Sequence, residues 1–494
     1  MKQSQRIAKN ISVMALAELV GFGLNFIITV LIARYLGVIG FGNYSFVIAF
    51  VGVFQMIADS GLNNILIREI AVDRDNLGYQ LGVTKSLIWV FSIIVFLLIV
   101  LIINIINPAA EIKNATYIMG MAVLATVHAV GYSSVFRALE EMEYNAAGFV
   151  LHKICLIGLV ALVIKLRLGL KEIAGAYLIS NILLWLFYYV IVSRRYSRPK
   201  MVLSIKRWWY LISEAIPIGI ASILRKISWQ VDILILSAIG TAASVGLFSA
   251  PYKIIQSINL LPHTVSMPLF PFFSRLAKTS HKELFQTYEK SLKFMYLLSI
   301  PLVVTLATLS YSIVSLLFGP RFVNSHMALR ILSISIIFLF PNAQFIYLFS
   351  ALGKQRLYTI CCVVSLVINV ILDFILIPRF DFVGACIGTL IADMSLFIIG
   401  IFFVKSMSKD ISFIKASWKP LVSGALMGAV LSQFRDSSLW WILFGVFASI
   451  LVFILSNMIL KTFSKNELCA IREWISFKRK AAPVVPGAVN EIKQ

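Results

Sequence analysis

Ionisable and amide side chains are scarce within the apolar stretches of this chain, and those present recur at helical spacing. Tyr252, Gln256, Asn259 and His263 follow one another at intervals of four, three and four, and Ser249 and Ser266 extend the same stripe, with Lys253 flanking it. Arg225, Trp229 and Asp232 share a second face, with Lys226 and Gln230 beside it. Nearer the start, Glu18 and Asn25 lie seven residues apart, and Lys153 sits in a separate apolar run. Charges are costly in hydrocarbon, so such residues turn to a cavity or to a partner. A lumen lined by Arg225, Lys226, Lys253 and Lys153, with Gln256, Asn259, His263, Glu18 and Asn25 around it, would suit a diphosphate. Arginine clamps phosphate oxygens in a fork and lysine adds a point charge. The same residues could instead tie helices together, Arg225 with Glu18 for example, and both readings stand at this stage.

Three acidic positions invite a gating or coupling role. Asp59, in Asp59-Ser-Gly-Leu-Asn-Asn followed by Arg68-Glu69-Ile-Ala, reads as a cytoplasmic gate or, more simply, as capping and interfacial pairing. Asp232 shares the face of Arg225. Asp393, one turn from Thr389, could hold a coupling ion or neutralise a buried cation. Asn369 and Asp373, also one turn apart, are expected to satisfy neighbouring helix ends, as polar groups in membrane bundles often do.

Catalytic patterns are missing from the sequence. It contains no Gly-x4-Gly-Lys-Ser/Thr, no His-Glu-x-x-His, no Gly-x-Ser-x-Gly, and no Cys/His cluster at metal spacing. No catalytic residue, metal or cofactor is therefore expected, and the function class points away from enzymes. An outer-face glycan polymerase or ligase would need a catalytic outer loop, and the outer loops are too short for one.

The elements that must carry these residues are membrane helices. Of 494 residues, 60% are hydrophobic and 13% charged, and the mean hydropathy is +0.91. Soluble domains hold about 25% charged residues. Breakers and charges divide the apolar runs into fourteen spans near 11–35, 43–67, 80–106, 115–137, 145–166, 172–193, 211–237, 244–274, 291–317, 327–351, 357–377, 383–404, 416–434 and 438–460. The eighth, with Pro251, Pro262, Pro268 and Pro271, is expected to be bent. The net charge of +22 sits between the spans, not on one soluble surface, which excludes nucleic acid as partner. With both termini cytoplasmic, about 31 of the 44 lysines and arginines fall on the cytoplasmic side, about nine outside and about four within helices. No cleavable signal peptide is expected. The basic tail reads as a solvated terminus more than as an anchor on membrane lipids. The five cysteines do not suggest a disulfide framework.

The chain also repeats itself. Leu36-Gly37-Val-Ile-Gly-Phe-Gly42-Asn-Tyr44 joins the first two spans, and Ile239-Gly240-Thr-Ala-Ala-Ser-Val-Gly246-Leu-Phe248 joins the seventh and eighth. Arg137-Ala-Leu-Glu-Glu-Met-Glu-Tyr144 corresponds to Ala351-Leu-Gly-Lys-Gln-Arg-Leu-Tyr358, and Ala174-Gly175-Ala176 to Val383-Gly384-Ala385. The expected fold is therefore an all-α polytopic membrane protein of about fourteen helices. Residues 1–200 and 201–410 form two parallel-repeat six-helix lobes, 411–462 two additional helices, and 463–494 a cytoplasmic tail.

Several of these motifs resemble the polysaccharide flippases of the multidrug/oligosaccharidyl-lipid/polysaccharide exporter superfamily. The resemblance rests on Ala33-Arg34-Tyr-Leu-Gly37-x4-Gly42-x-Tyr44, on Asp59-Ser-Gly-Leu with Arg68-Glu-Ile-Ala, and on Phe136-Arg137-Ala-Leu-Glu-Glu-Met-Glu-Tyr. It continues through Gly353-Lys-Gln-Arg, Asn369-x3-Asp373-x3-Ile377-Pro378 and Gly384-Ala385-x3-Thr389, covering roughly residues 1–460. It implies a secondary transporter in the cell membrane, with a V-shaped cationic cavity and alternating access. The implied cargo is a polyprenyl-diphosphate-linked oligosaccharide, moved to the outer leaflet for O-antigen, capsule or a similar glycan. A glycan polymerase and glycosyltransferases of the same pathway would be the partners. A peptidoglycan-precursor flippase and a drug/cation antiporter are the alternatives within the superfamily.

Overall fold

The computed structural model describes residues 3–59, 61–196, 200–408, 411–435 and 437–462; within these, the side chains of 3–12, 15, 59 and 216–226 fall outside the description. Every described element is helical. Long runs of Leu, Ile, Val and Phe can satisfy each backbone N–H and C=O in hydrocarbon only by bonding along the same segment.

The first helix, α1 (Gln3–Asp59), bends at Gly37, whose φ of 69° an L side chain resists. One kinked element thus carries the first expected span and most of the second, and α2 (Leu62–Val72) completes it. Then come α3 (Leu77–Ile106), α4 (Ala110–Ala138), α5 (Met142–Lys165) and α6 (Leu170–Arg195). The seventh range is interrupted between α7 (Ile205–Ile227) and α8 (Val231–Ile239). The eighth is broken into α9 (Ala242–Ile258), α10 (Leu260–Ser266), a 3₁₀ turn at Met267–Leu269 and α11 (Phe270–Thr279), because its prolines remove amide donors and clash with the preceding turn. The remaining helices are α12 (His281–Thr308), α13 (Ser310–Phe318), α14 (Ser325–Ala351), α15 (Gln355–Phe380), α16 (Phe382–Met407), α17 (Phe413–Ser432) and α18 (Leu439–Ile459).

Among the described residues, ten helices are long and apolar enough to cross a membrane. Large apolar side chains point outward along them, Leu97, Leu101 and Ile105 on α3 and Phe402 on α16 among them, as befits a molecule solvated by lipid. The protein is an all-α polytopic membrane protein.

The most extensive helix pairs are α4 on α6 in the first half and α15 on α16 in the second; α1 on α5, α12 on α14, and α17 on α12 and α18 pack less extensively than α1 on α9. The main contact between halves is α1 on α9. The two glycines at equivalent places in the repeat meet there. A methyl group at Gly42 would overlap the carbonyl of Ala242, and one at Gly246 the carbonyl of Val38. Only glycine lets these backbones approach so closely. Further along, α2 and α7 exchange two ion pairs, Arg68–Glu214 at 2.8 Å and Arg207–Glu69 at 2.6 Å. The Arg68-Glu69 motif therefore engages in pairing across the halves.

Candidate functional site

Residues singled out from the sequence separate into two groups in the structure. Tyr252, Asn259 and His263, on α9, at its end and on α10, line a cavity of about 490 Å³. Trp229 from the α7–α8 break closes one side, and Asn342, Ser365 and Asp393 from α14, α15 and α16 close others. Three residues of the stripe expected on the eighth span thus face one cavity across the breaks in the helix, while Ser249 and Ser266 are buried away from it. Gln256 turns away to accept a hydrogen bond from Lys253 Nζ at 2.9 Å.

A second group lies in the first half. Lys153 on α5 donates to Asn25 Oδ1 on α1 at 3.0 Å. Glu18, two turns earlier on α1, is exposed and makes no ion pair with a described residue. Neither Lys153 nor Lys253 has a carboxylate at ion-pairing distance among the described residues, and each is only partly buried. The side chains of Arg225, Lys226 and Asp59 lie outside the described residues.

The expectation for Asn369 and Asp373 is corrected by the structure. They do not spend themselves on helix ends. Asp373 on α15 is fully buried and lies within hydrogen-bonding reach of the buried Asp232 at the start of α8. Thr389 Oγ1 stands 3.2 Å from Asp232 Oδ2 and 2.9 Å from Ala385 O, and its single proton can go to only one of them. Asn369 and Asp373 both stand beside Asp232, and Asp232 Oδ1, both Asp373 oxygens and the Asn369 amide nitrogen form no well-aligned hydrogen bond with a described residue. Two adjoining buried carboxylates with so few donors cannot both remain bare anions away from water. The arrangement calls for a shared proton or a small cation, and its donors are the hard oxygens that such a cation prefers. The cluster adjoins the cavity, because Asn369 and Thr389 line both.

Another buried cation escaped notice in the sequence. Lys85 on α3 is 3% exposed, donates to His128 O at 2.7 Å and lies 3.7 Å over the Tyr132 ring. His128 in turn packs against Trp89 and Trp185. The signal was a lysine inside the third apolar run, where charge is costly.

The family model described as "Polysaccharide biosynthesis protein" matches residues 7–277, more than half of the chain. The chain belongs to that family. It is similar to the Shigella flexneri "Putative O-antigen transporter", 24% identical over 72% of this chain and 88% of the relative. Its fold is similar to that of the lipid II flippase MurJ in an inward closed conformation, with a TM-score of 0.74 and 18% identity over 90% of this chain and 98% of the other. An inward-facing multidrug resistance MATE family transporter shares the fold at a TM-score of 0.64 and 15% identity, over 82% of this chain and 100% of the other.

Proposed function

We propose that this protein flips a polyprenyl-diphosphate-linked oligosaccharide from the cytoplasmic to the outer leaflet for cell-surface polysaccharide synthesis. The observation that carries this reading is the pair of lysines, Lys153 from the first half and Lys253 from the second, each held by a neutral amide oxygen and neither matched by a carboxylate among the described residues. Partly buried cations without counter-ions attract a diphosphate. Arg225 and Lys226, one to two turns before the cavity-lining Trp229, would add to the same field, with Gln256, Asn259, His263, Glu18 and Asn25 toward the sugars.

Fourteen spans in two six-helix lobes, residues 1–200 and 201–410, with 411–462 appended and both termini cytoplasmic, would place the Gly42–Gly246 contact at the outer face. The lobes then rock about that contact, closed here, to expose the cargo site alternately. Asp232, with Asp373 and Thr389, would couple the motion by taking up and losing a proton or small cation, Asp393 would relay it from the cavity, and Asp59 would act at the cytoplasmic gate. The matches to a Shigella flexneri relative named for O-antigen and to a lipid II flippase support a lipid-linked glycan as cargo.

A drug/cation antiporter is the second reading, favoured by one observation: the enclosed cavity is lined by Asp393 and adjoins the acidic pair. Deleting the gene separates the two. A flippase leaves lipid-linked oligosaccharide accumulating inside, and Lys153→Ala with Lys253→Ala fails to clear it at normal protein levels. An antiporter leaves that pool unchanged and raises sensitivity to cationic drugs.

A further inference from the structure

A second cationic hollow lies away from the cavity and from the lysine pair. It occupies about 710 Å³ where the bend of α1, the end of α13 and the start of α18 meet, and Arg34, Arg321, Tyr311, Ser315, Leu439 and Ile442 help line it. Arg34 is fixed to its wall. Its Nε donates to Leu317 O at 2.7 Å and its Nη2 to Leu316 O, two of the last carbonyls of α13, while Nη1 has no hydrogen-bond partner among the described residues. Arg321 makes no hydrogen bond or ion pair with any described residue, although its Nη1 stands 3.5 Å from the place a side chain at Gly37 would occupy. Among the described residues, no acidic side chain lines the hollow. Two guanidinium groups sharing one cavity repel each other, so the site is complete only with an anion between them.

The neighbourhood says what carries that anion. α18 begins at the rim with Trp440 and Trp441, 81% and 58% exposed, and continues with exposed Leu443, Phe444, Phe447 and Leu451. Paired tryptophans at a helix end mark headgroup depth, and the apolar face below them is a wall for acyl or prenyl chains. We propose that Arg34 and Arg321 form a binding site for the phosphate of a lipid in the leaflet facing the α1 bend. Calling that leaflet the outer one rests on the orientation proposed above. The guanidinium forks meet the phosphate oxygens and the lipid tail lies along α18. Arg34 doubles as the cap of α13, so occupancy of the site is tied to the helix end that abuts the contact between halves.

Arg321 is the residue to change, since it holds no other part of the protein. Full-length protein is purified and examined by native mass spectrometry with three probes in a phosphatidylcholine background: phosphatidylglycerol, a polyprenyl diphosphate, and inorganic diphosphate. Wild type should retain one anionic lipid, and Arg321→Gln should bind it roughly tenfold more weakly, with Arg321→Lys between. Preference for phosphatidylglycerol makes the ligand a resident phospholipid; preference for the polyprenyl diphosphate makes it the carrier on its way out. Equal retention by wild type and Arg321→Gln overturns the site, and so does inorganic diphosphate binding as tightly as either lipid. Retention is measured without transport or orientation, so a failed flippase reading leaves this result standing, and a failed site leaves glycan export untouched.

Discussion

The two halves of the chain repeat their junctions yet bury opposite charges. In the first half the helix-borne cations Lys85 and Lys153 rest on a backbone carbonyl and an amide oxygen, while the acid of α1, Glu18, is exposed. In the second half they are mainly acids, Asp232, Asp373 and Asp393, gathered where α8, α15 and α16 meet. Lys253 departs from this pattern on α9, the helix of the second half that packs on α1, and Arg225 and Lys226 on α7 are further cations of that half. Backbone symmetry and chemical symmetry have therefore parted. In the mechanism proposed above, the shared backbone geometry serves the rocking of the halves, and the side chains would suit one region to an anionic cargo and the other to a proton or cation.

The comparison breaks most readily at the acids. Asp232→Asn with Asp373→Asn should lower glycan export about 100-fold, the upper end of usual coupling free energies. Protein levels should hold, because amides of the same shape relieve the repulsion of the adjoining carboxyls. Export that survives at wild-type rate in this double variant would remove the acids from the mechanism. Next comes the seam, where the halves should respond alike. Gly42→Val and Gly246→Val each drive a side chain into the other half's backbone. Each should reduce export on the order of tenfold or more and open that face to a water-soluble thiol reagent at a cysteine placed nearby. A defect in only one of them would mean the seam is less symmetric than its sequence.

The smallest effect is expected at the exposed pairs between α2 and α7. Arg68→Glu or Glu214→Arg alone should slow export about twofold, and the two together should restore it, since such pairs contribute about 0–1 kcal/mol. A tenfold loss from either single change would promote these pairs from trim to latch.

Much of the fold was readable in the residues. The all-helical class was legible, ten helices among the described residues are long and apolar enough to cross a membrane, and the prolines at 251, 262, 268 and 271 foretold the bending of the eighth range. Repeat comparison brought Gly42 and Gly246 together on paper, although nothing in periodicity says that they touch. The meeting of Asp232 with Asp373 was not readable. Helical spacing places Asn369 and Asp373 on one face of α15, but it does not give the rotation of α15 against α8, so helix ends were the natural partners to assign. The stripe on the eighth span was visible, while its division, with Gln256 turned to Lys253 and the others toward Asp393, depends on packing against α14 and α16. Lys85 was overlooked because its partners, a carbonyl and a ring, leave no charge pattern in the sequence.

Binding of a polyprenyl diphosphate to purified protein, set beside transport by the same variants, tests the division between the halves most directly. Lys153→Met with Lys253→Met should weaken binding at least about tenfold, the loss expected when charge-assisted phosphate contacts go. Asp373→Asn should bind as wild type does yet fail to transport. Binding lost in Asp373→Asn and retained in the lysine variant would contradict the account.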